Sequence, residues 1–413
     1  MDIPQGYKQT ELGVIPDDWD VKKLGEIVNK IVGGGTPSRN IKEYWNGNIF
    51  WATVKDFTSF SPHETEETIT QKGLNLSASN LIPKGTLIIS TRMAVGKVII
   101  YNVDVAINQD LKAIYTKPDI DTKFLFYCFT NYSEKMDFLA SGSTVKGIIL
   151  EDLKNIQFPY ISLAEQKAIA QSLSDVDALI TAIDKLITKK RNIKQGAMQE
   201  LLTGKKRLPG FTGDRDVKKL GEPSQGYKQT ELGVIPDDWD VKKLGEVAPL
   251  QRGFDLPTPQ LIKGNYPVVY SNGILNYHNR YQAKSPGVVT GRSGTIGKVT
   301  FVKTDYWPHN TTLWVTDFNG NYPKFIYYLY IFIRLVRFST GSGVPTLNRN
   351  DVHAFKIPLP PLPEQKAIAQ ILSDMDTEIE SLEKTREKYK LIKRGIMQEL
   401  LTGKTRLKHQ LDP

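Results

Sequence analysis

The chain has 413 residues, of which 40% are hydrophobic and 24% charged, which places it in the globular range with room for about two to four domains. Its net charge of +9 favours an anionic partner, with nucleic acid ahead of membrane. One cysteine, Cys128, excludes an internal disulfide and fits a reducing compartment.

The opening residues, MDIPQGYKQTELG, lack the apolar core of a signal peptide. Residues 5–26 (QGYKQTELGVIPDDWDVKKLGE) return unchanged at 225–246, so an opening segment is written twice. The bodies that follow differ and read as mixed α/β. Short β-branched runs at 85–90 and 97–101, and again at 267–271 and 298–302, predict strands separated by Gly and Pro. Aromatic- and Leu-rich stretches at 122–138 and 323–338 predict helices. The most apolar run, FIYYLYIFI at 325–333, is too short to span a bilayer and reads as domain core rather than a base-stacking platform. A cytoplasmic protein is expected.

Each half closes on a long helix. AEQKAIAQSLSDVD at 164–177 returns as PEQKAIAQILSDMD at 363–376, and MQELLTGK at 198–205 returns at 397–404. Apolar residues step in a four-three alternation through Ile169, Leu173, Val176, Ile180, Ile183 and Ile187, and through Ile368, Leu372, Met375, Ile379 and Leu382. These are heptad seams. They weaken at Lys190 and Lys194, and at Tyr389 and Lys393, then resume. Gly204 and Gly403 are the stop signals. A helix of this length spans roughly 60 Å and leaves an apolar stripe to bury. The two seams pairing antiparallel is one solution, giving an internal pseudo-two-fold axis; each helix packing on its own domain is the other. DVKKLGE occurs a third time at 216–222, in a stretch that reads as a tether or as an extra strand.

Familiar catalytic patterns are missing. The Gly-Lys steps at 96–97, 297–298 and 204–205 carry Thr91, Arg292 and Gln199 where a phosphate-binding loop needs glycine. No Asp/Asn-Pro-Pro-Tyr/Phe tetrapeptide occurs. The five histidines (63, 278, 309, 353, 409) have no metal-ligand spacing.

The duplicated opening, the block GGGTPSRNIKEYWNGNIFWATVKD at 33–56, the GKV turns and the doubled EQKAIAQ…MQELLTGK helices together resemble the DNA-specificity (S) subunit of type I restriction–modification systems over nearly the whole length. The resemblance implies an α/β (α+β) fold. A first target-recognition domain would span 1–162, a spacer helix 163–204 and a linker 205–224. A second target-recognition domain would span 225–361, a second spacer helix 362–404 and a tail 405–413. The helices would form an antiparallel coiled coil that fixes the distance between two halves of an asymmetric DNA site. It also implies no catalysis and no cofactor in this chain. S-adenosylmethionine would belong to two docked methyltransferase subunits that modify adenine, with restriction subunits adding translocation and cleavage. The second body departs from the block, with TPQLIKGNYPVVYSNGI at 258–274 in place of TPS…YW, so its bases should differ.

Aligning the bodies through their GKV steps pairs Arg92 with Arg292 (across a one-residue gap), Lys97 with Lys298 and Asn108 with Asn310. Loop Arg and Lys suit phosphate or guanine; Asn108, Gln109 and Asn310 suit adenine. The same Asn residues could simply cap turns, and the same Arg residues could be solvated. Arg39, Lys55, Lys146, Arg252, Arg280 and Arg349 complete the DNA-binding candidates. A free-standing DNA-binding or architectural protein, an enzyme with an unfamiliar site and a coiled-coil scaffold remain competing readings.

Overall fold

The computed structural model describes residues 3–139, 147–211, 226–340 and 346–407. It divides into two compact units, Met1–Ile183 with Thr385–Pro413, and Asp184–Lys384.

In the first unit the opening segment forms a hairpin, β1 (Tyr7–Thr10) and β2 (Gly13–Pro16), then β3 (Asp20–Lys23) and a single helical turn, α1 (Leu24–Ile27). Trp19 and Leu24 are buried and anchor this segment to the main apolar cluster. The body contributes β4 (Val28–Gly33), β5 (Trp45–Ala52), β6 (Glu67–Ile69), α2 (Gln71–Asn75) and β7 (Asn80–Ile82). It continues with β8 (Leu87–Ser90), β9 (Val98–Ile100), β10 (Val105–Ile107) and β11 (Leu111–Thr116). One sheet runs β4-β11-β8-β9 and the other β6-β5-β10-β7, with β5 and β10 parallel. β8 is Leu-Ile-Ile-Ser with every residue buried, which is why an unbroken apolar run rather than an alternating one marks it. Helices α3 (Thr122–Leu139) and α4 (Leu150–Asn155) lead to β12 (Gln157–Tyr160), which returns to pair antiparallel with β3. Helix α5 (Leu163–Leu201) follows.

The second unit repeats this plan. Its strands are β13 (Tyr227–Thr230), β14 (Gly233–Pro236) and β15 (Asp240–Lys243), followed by α6 (Leu244–Val247). Then come β16 (Leu250–Arg252), β17 (Lys263–Tyr270), β18 (Gly273–His278), β19 (Gly287–Gly291), β20 (Val299–Val302), β21 (Trp307–Pro308) and β22 (Thr312–Val315). Helix α7 (Pro323–Ile333), the short pair β23 (Ser339–Thr340) and β24 (Thr346–Leu347), α8 (Arg349–Ala354), β25 (Lys356–Leu359) and α9 (Leu362–Leu400) complete it. The sheets are β16-β22-β19-β20 and β18-β17-β21, again with one parallel pair, β17 with β21. Phe325, Tyr328 and Tyr330 of the aromatic run are fully buried core, as their sequence predicts.

Each unit holds one end of both long helices. In the first, Glu165 and Asp177 of α5 pair with Arg406 and Lys393, so α5 runs antiparallel to residues 385–401. In the second, Lys190 and Lys194 of α5 pair with Glu378 and Asp376, and Arg207, just past its end, pairs with Glu364. The direction is again antiparallel. Of the predicted seam, Ile169, Leu173, Ile183, Ile187, Ile368, Leu372 and Ile379 are buried, while Val176, Ile180, Met375 and Leu382 are half-buried. Both packing alternatives are realised together. Ile169 and Leu173 share one cluster with Trp19, Phe129 and Phe158 of the body and with Met397 and Leu400 of the other helix. Ile368 and Leu372 do the same with Trp239, Tyr328, Met198 and Leu201. Three of the four weak seam positions, Lys190, Lys194 and Lys393, are explained by charge. Lys194 and Lys393 are cations aimed at an aspartate of the facing helix.

The glycines that stop the helices are required by contact as well as conformation. Gly204 has φ +72°, and a Cβ there would lie 2.5 Å from Pro236; Gly403 has φ +70°, and its Cβ would lie 2.4 Å from Pro16. The opening hairpin of each unit thus closes over the last turn of the helix ending beside it.

Candidate nucleic-acid interface

In the first unit four candidates come together around a cleft of about 390 Å³. Arg39 arrives from the β4–β5 connection, Lys55 from a 3-10 turn (Val54–Phe57) after β5, and Asn108 and Gln109 from the β10–β11 turn. Met93, from the β8–β9 loop, completes the wall.

The sequence block around 33–56 is mainly the frame of this cleft. The Trp51 indole N–H donates to Gly35 C=O (3.2 Å) and Ser79 Oγ (3.1 Å), and Trp45 donates to Ser38 C=O (3.1 Å). Buried Asp56 accepts from the Thr53 and Glu66 backbone N–H groups at 2.7 and 2.9 Å. Arg39 lies over the Trp45 ring at 3.8 Å, and its two terminal nitrogens donate to the two carboxylate oxygens of Glu67. That fork holds the Glu67 carboxyl below the usual carboxylate range. Two of the five guanidinium N–H groups are therefore committed before any ligand arrives. Glu67 has no signal in the linear sequence; strand pairing sets it opposite Trp51.

Asn108 is buried and caps a turn, accepting from Asp110 N–H at 3.1 Å, which realises the structural alternative. Gln109 is exposed and accepts from Thr36 Oγ1 at 2.6 Å. Arg92 is exposed, with Asp110 3.8 Å away, and Lys97 is exposed on the same loop. Lys146 lies outside the described residues.

In the second unit Asp255 gathers two candidates, with Arg252 at 3.2 Å and the Asn310 amide donating to the same carboxylate oxygen. Lys298 Nζ donates to Asn272 C=O at 2.5 Å. Arg280 is exposed after β18, and Arg349 is exposed at the first position of α8. Arg292 is half-buried, and its side chain has no hydrogen-bond or ion-pair partner among the described residues. The histidines here are structural. His353 Nε2 accepts from Leu250 N–H at 2.7 Å, and His278 Nδ1 faces the Ile262 backbone. Among the described residues there is no group of three potential metal ligands, and no helix is long and apolar enough to cross a membrane.

The hydrogen-bond ladders correct the sequence pairing of the two bodies. Thr91 N–H donates to Asp110 C=O as Arg292 N–H donates to Thr311 C=O, both at 2.8 Å, and bridges join Arg92 to Gly147 but Ser293 to Thr346. Arg292 therefore occupies the place of Thr91, and Arg92 that of Ser293. Asn108 N–H donates to Ala52 C=O as His309 N–H donates to Val269 C=O, so Asn310 stands where Gln109 does. Lys97 and Lys298 do correspond, each C=O accepting from the strand residue Ser90 or Gly291.

The sequence profile of the type I restriction modification DNA specificity domain matches residues 16–195 and 236–391. The chain belongs to this family. The type I restriction enzyme MjaIX specificity subunit of Methanocaldococcus jannaschii is 30% identical over 269 residues, covering 64% of this chain and 59% of that protein. The MjaVIII specificity subunit of the same organism is 27% identical over 439 residues, covering 98% of this chain and 97% of that one. Among solved structures, the S subunit of a type I restriction–modification system from M. genitalium superposes with a TM-score of 0.59 at 16% identity, covering 97% of this chain and 98% of that one. Its likeness is one of fold.

Proposed function

We propose that this specificity-family chain is the non-catalytic DNA-reading subunit of a type I restriction–modification enzyme. Residues 1–162 and 225–361 each read one half of a bipartite, asymmetric site. The helices 163–204 and 362–404 set the half-site spacing and present two equivalent surfaces to two methyltransferase subunits, which bind S-adenosylmethionine and methylate adenine. Restriction subunits join through that complex.

The observation that supports this reading is a repeated frame around unlike sites. Lys393–Asp177 recurs as Lys194–Asp376, and Arg406–Glu165 as Arg207–Glu364. The polar sites of the two bodies differ: Arg39 and Glu67, with Trp45 beneath, frame a cleft in one, whereas in the other Asp255 gathers Arg252 and Asn310. An identical frame suits two copies of one partner; unlike recognition surfaces suit two base sequences.

Methylome sequencing of cells carrying this chain with its methyltransferase subunit tests the proposal. A two-part methyladenine motif with a fixed gap is expected. Co-purification should give one chain with two methyltransferase subunits and tighter, salt-dependent duplex binding. Methylation that ignores this chain, or DNA reading undiminished without partners, would favour the free-standing alternative.

A further inference from the structure

Met93 occupies a backbone position that disfavours it. Its φ is +62°, it is 73% exposed, and it sits at the centre of a three-residue turn closed by Ala94 N–H donating to Arg92 C=O at 2.7 Å. A turn of this hand is rare and strained for an L side chain. The other described non-glycine residues with positive φ have evident reasons. Asn46 and Asn319 are asparagines, which tolerate the left-handed region, and Arg334 ends α7. Met93 has neither excuse.

The turn is forced from beneath. The fully buried Ser90 donates its hydroxyl to Arg92 C=O at 2.7 Å, and Gly96 N–H donates to Ser90 C=O at 3.0 Å. By the ladder correspondence, the matching residue of the second unit is Gly294, with φ +78°. Glycine is thus the residue this conformation favours, and one half of the chain has it. The other half holds an exposed, unbranched, apolar side chain there, on the rim of the cleft shared by Lys55, Asn108 and Gln109. Strain maintained at an exposed position is a mark of a functional contact.

Resting on the DNA-reading proposal above, we infer that Met93 determines specificity in the half-site read by the first unit by contacting the 5-methyl group of a thymine in the major groove. That methyl is the apolar group a thymine presents on its major-groove edge. The second unit, with Gly294, makes no such contact.

The test uses the full chain in complex with its methyltransferase subunits and a duplex that this complex selects from a random-sequence pool. Each thymine of that duplex is replaced in turn by deoxyuridine, which removes only the methyl group. At one position in one half-site the wild type should lose about fourfold in affinity, the worth of one buried methyl. Met93→Gly should bind the thymine duplex more weakly by at least that factor, be indifferent to deoxyuridine at that position, and melt at a higher temperature than the wild type. Wild-type binding insensitive to every substitution, or a glycine variant that binds like the wild type or keeps its sensitivity, would overturn the assignment of Met93 alone. Selection of no sequence at all would overturn the DNA reading and Met93 with it.

Discussion

Lys393 Nζ lies 2.6 Å from Asp177 Oδ1, joining the far end of the last helix to the near end of the first long one. Tyr127 of the body donates its hydroxyl to the same carboxylate at 2.9 Å, and Lys393 also faces the Tyr127 ring at 5.3 Å. Body and both helices therefore meet at one acid. Lys194, Asp376 and Tyr328 repeat the arrangement in the second unit, with a tyrosine–aspartate distance of 2.8 Å. Lys393→Met keeps the aliphatic stem but removes the charge-assisted bonds. It should destabilise the first unit by about 1–2 kcal/mol, at the low end for a bond to a charged group because Asp177 keeps solvent access. Chemical denaturation of the full chain measures this. The reversed pair, Lys393→Asp with Asp177→Lys, should recover part of the loss; no recovery would assign the effect to packing rather than charge.

The two arginines that follow the long helices should differ in weight. Arg207 Nη2 is 2.5 Å from Glu364 and 2.8 Å from Asp238, and its side chain and that of Glu364 are 4% and 1% exposed. Trp239 donates its indole N–H to the same carboxylate at 2.8 Å. Arg406 makes the equivalent bonds to Glu165 and Asp18 but is 39% exposed. Arg207→Ala leaves a buried carboxylate without its cation and should cost about 3–5 kcal/mol. Arg406→Ala also strands a buried acid, since the Glu165 side chain is 6% exposed, but the arginine itself lies open to solvent, so water can take its place and the cost should be smaller, about 1–3 kcal/mol. Hydrogen exchange resolved by unit would report each loss locally, and equal losses would contradict the burial argument.

Acid should weaken the second unit through His353. Burial, reinforced by the nearby Arg349 charge, holds its pKa below the usual 6.5, while its Nε2 accepts from Leu250 N–H. In the unfolded chain the imidazole protonates near pH 6.5. The stability gained from keeping it neutral is complete above that pH and is lost as pH falls through the lower folded value. Melting curves between pH 7.5 and 5.5 should show this decline in the wild type and a shallower one in His353→Gln. Parallel curves would remove His353 as a source.

Periodicity carried much of this architecture. Ile169, Leu173, Ile368 and Leu372 were readable as seam because their spacing is local. The role of Lys194 and Lys393 was not, since each is explained by an acid on another helix that sequence order places far away. The cleft was half legible for the same reason. Arg39, Lys55, Asn108 and Gln109 were recognisable by residue type, whereas Glu67, which takes up the Arg39 fork, comes opposite Trp51 through strand pairing alone. The pairing of Arg92 with Arg292 failed because matching by residue type ignored backbone register, which the hydrogen bonds to Asp110 and Thr311 fix one residue apart.

That register makes Arg292 the more informative arginine to remove. Arg39 is bound to Glu67 and stacked on Trp45, so Arg39→Ala would dismantle the cleft wall whether or not DNA touches it. Among the described residues Arg292 hydrogen-bonds through its backbone alone, with N–H donating to Thr311 C=O and C=O accepting from Leu347 N–H, both at 2.8 Å. Its guanidinium has no competing acid among the described residues, so its donors remain available for a base edge. Arg292→Ala should leave stability nearly unchanged and relax discrimination at one base pair of the second unit's half-site by about 1–3 kcal/mol. Competition binding against single-base variants at several salt concentrations distinguishes the outcomes. A uniform loss across all sequences with a shallower salt slope would reassign Arg292 to a phosphate, and unchanged binding would remove it from the interface.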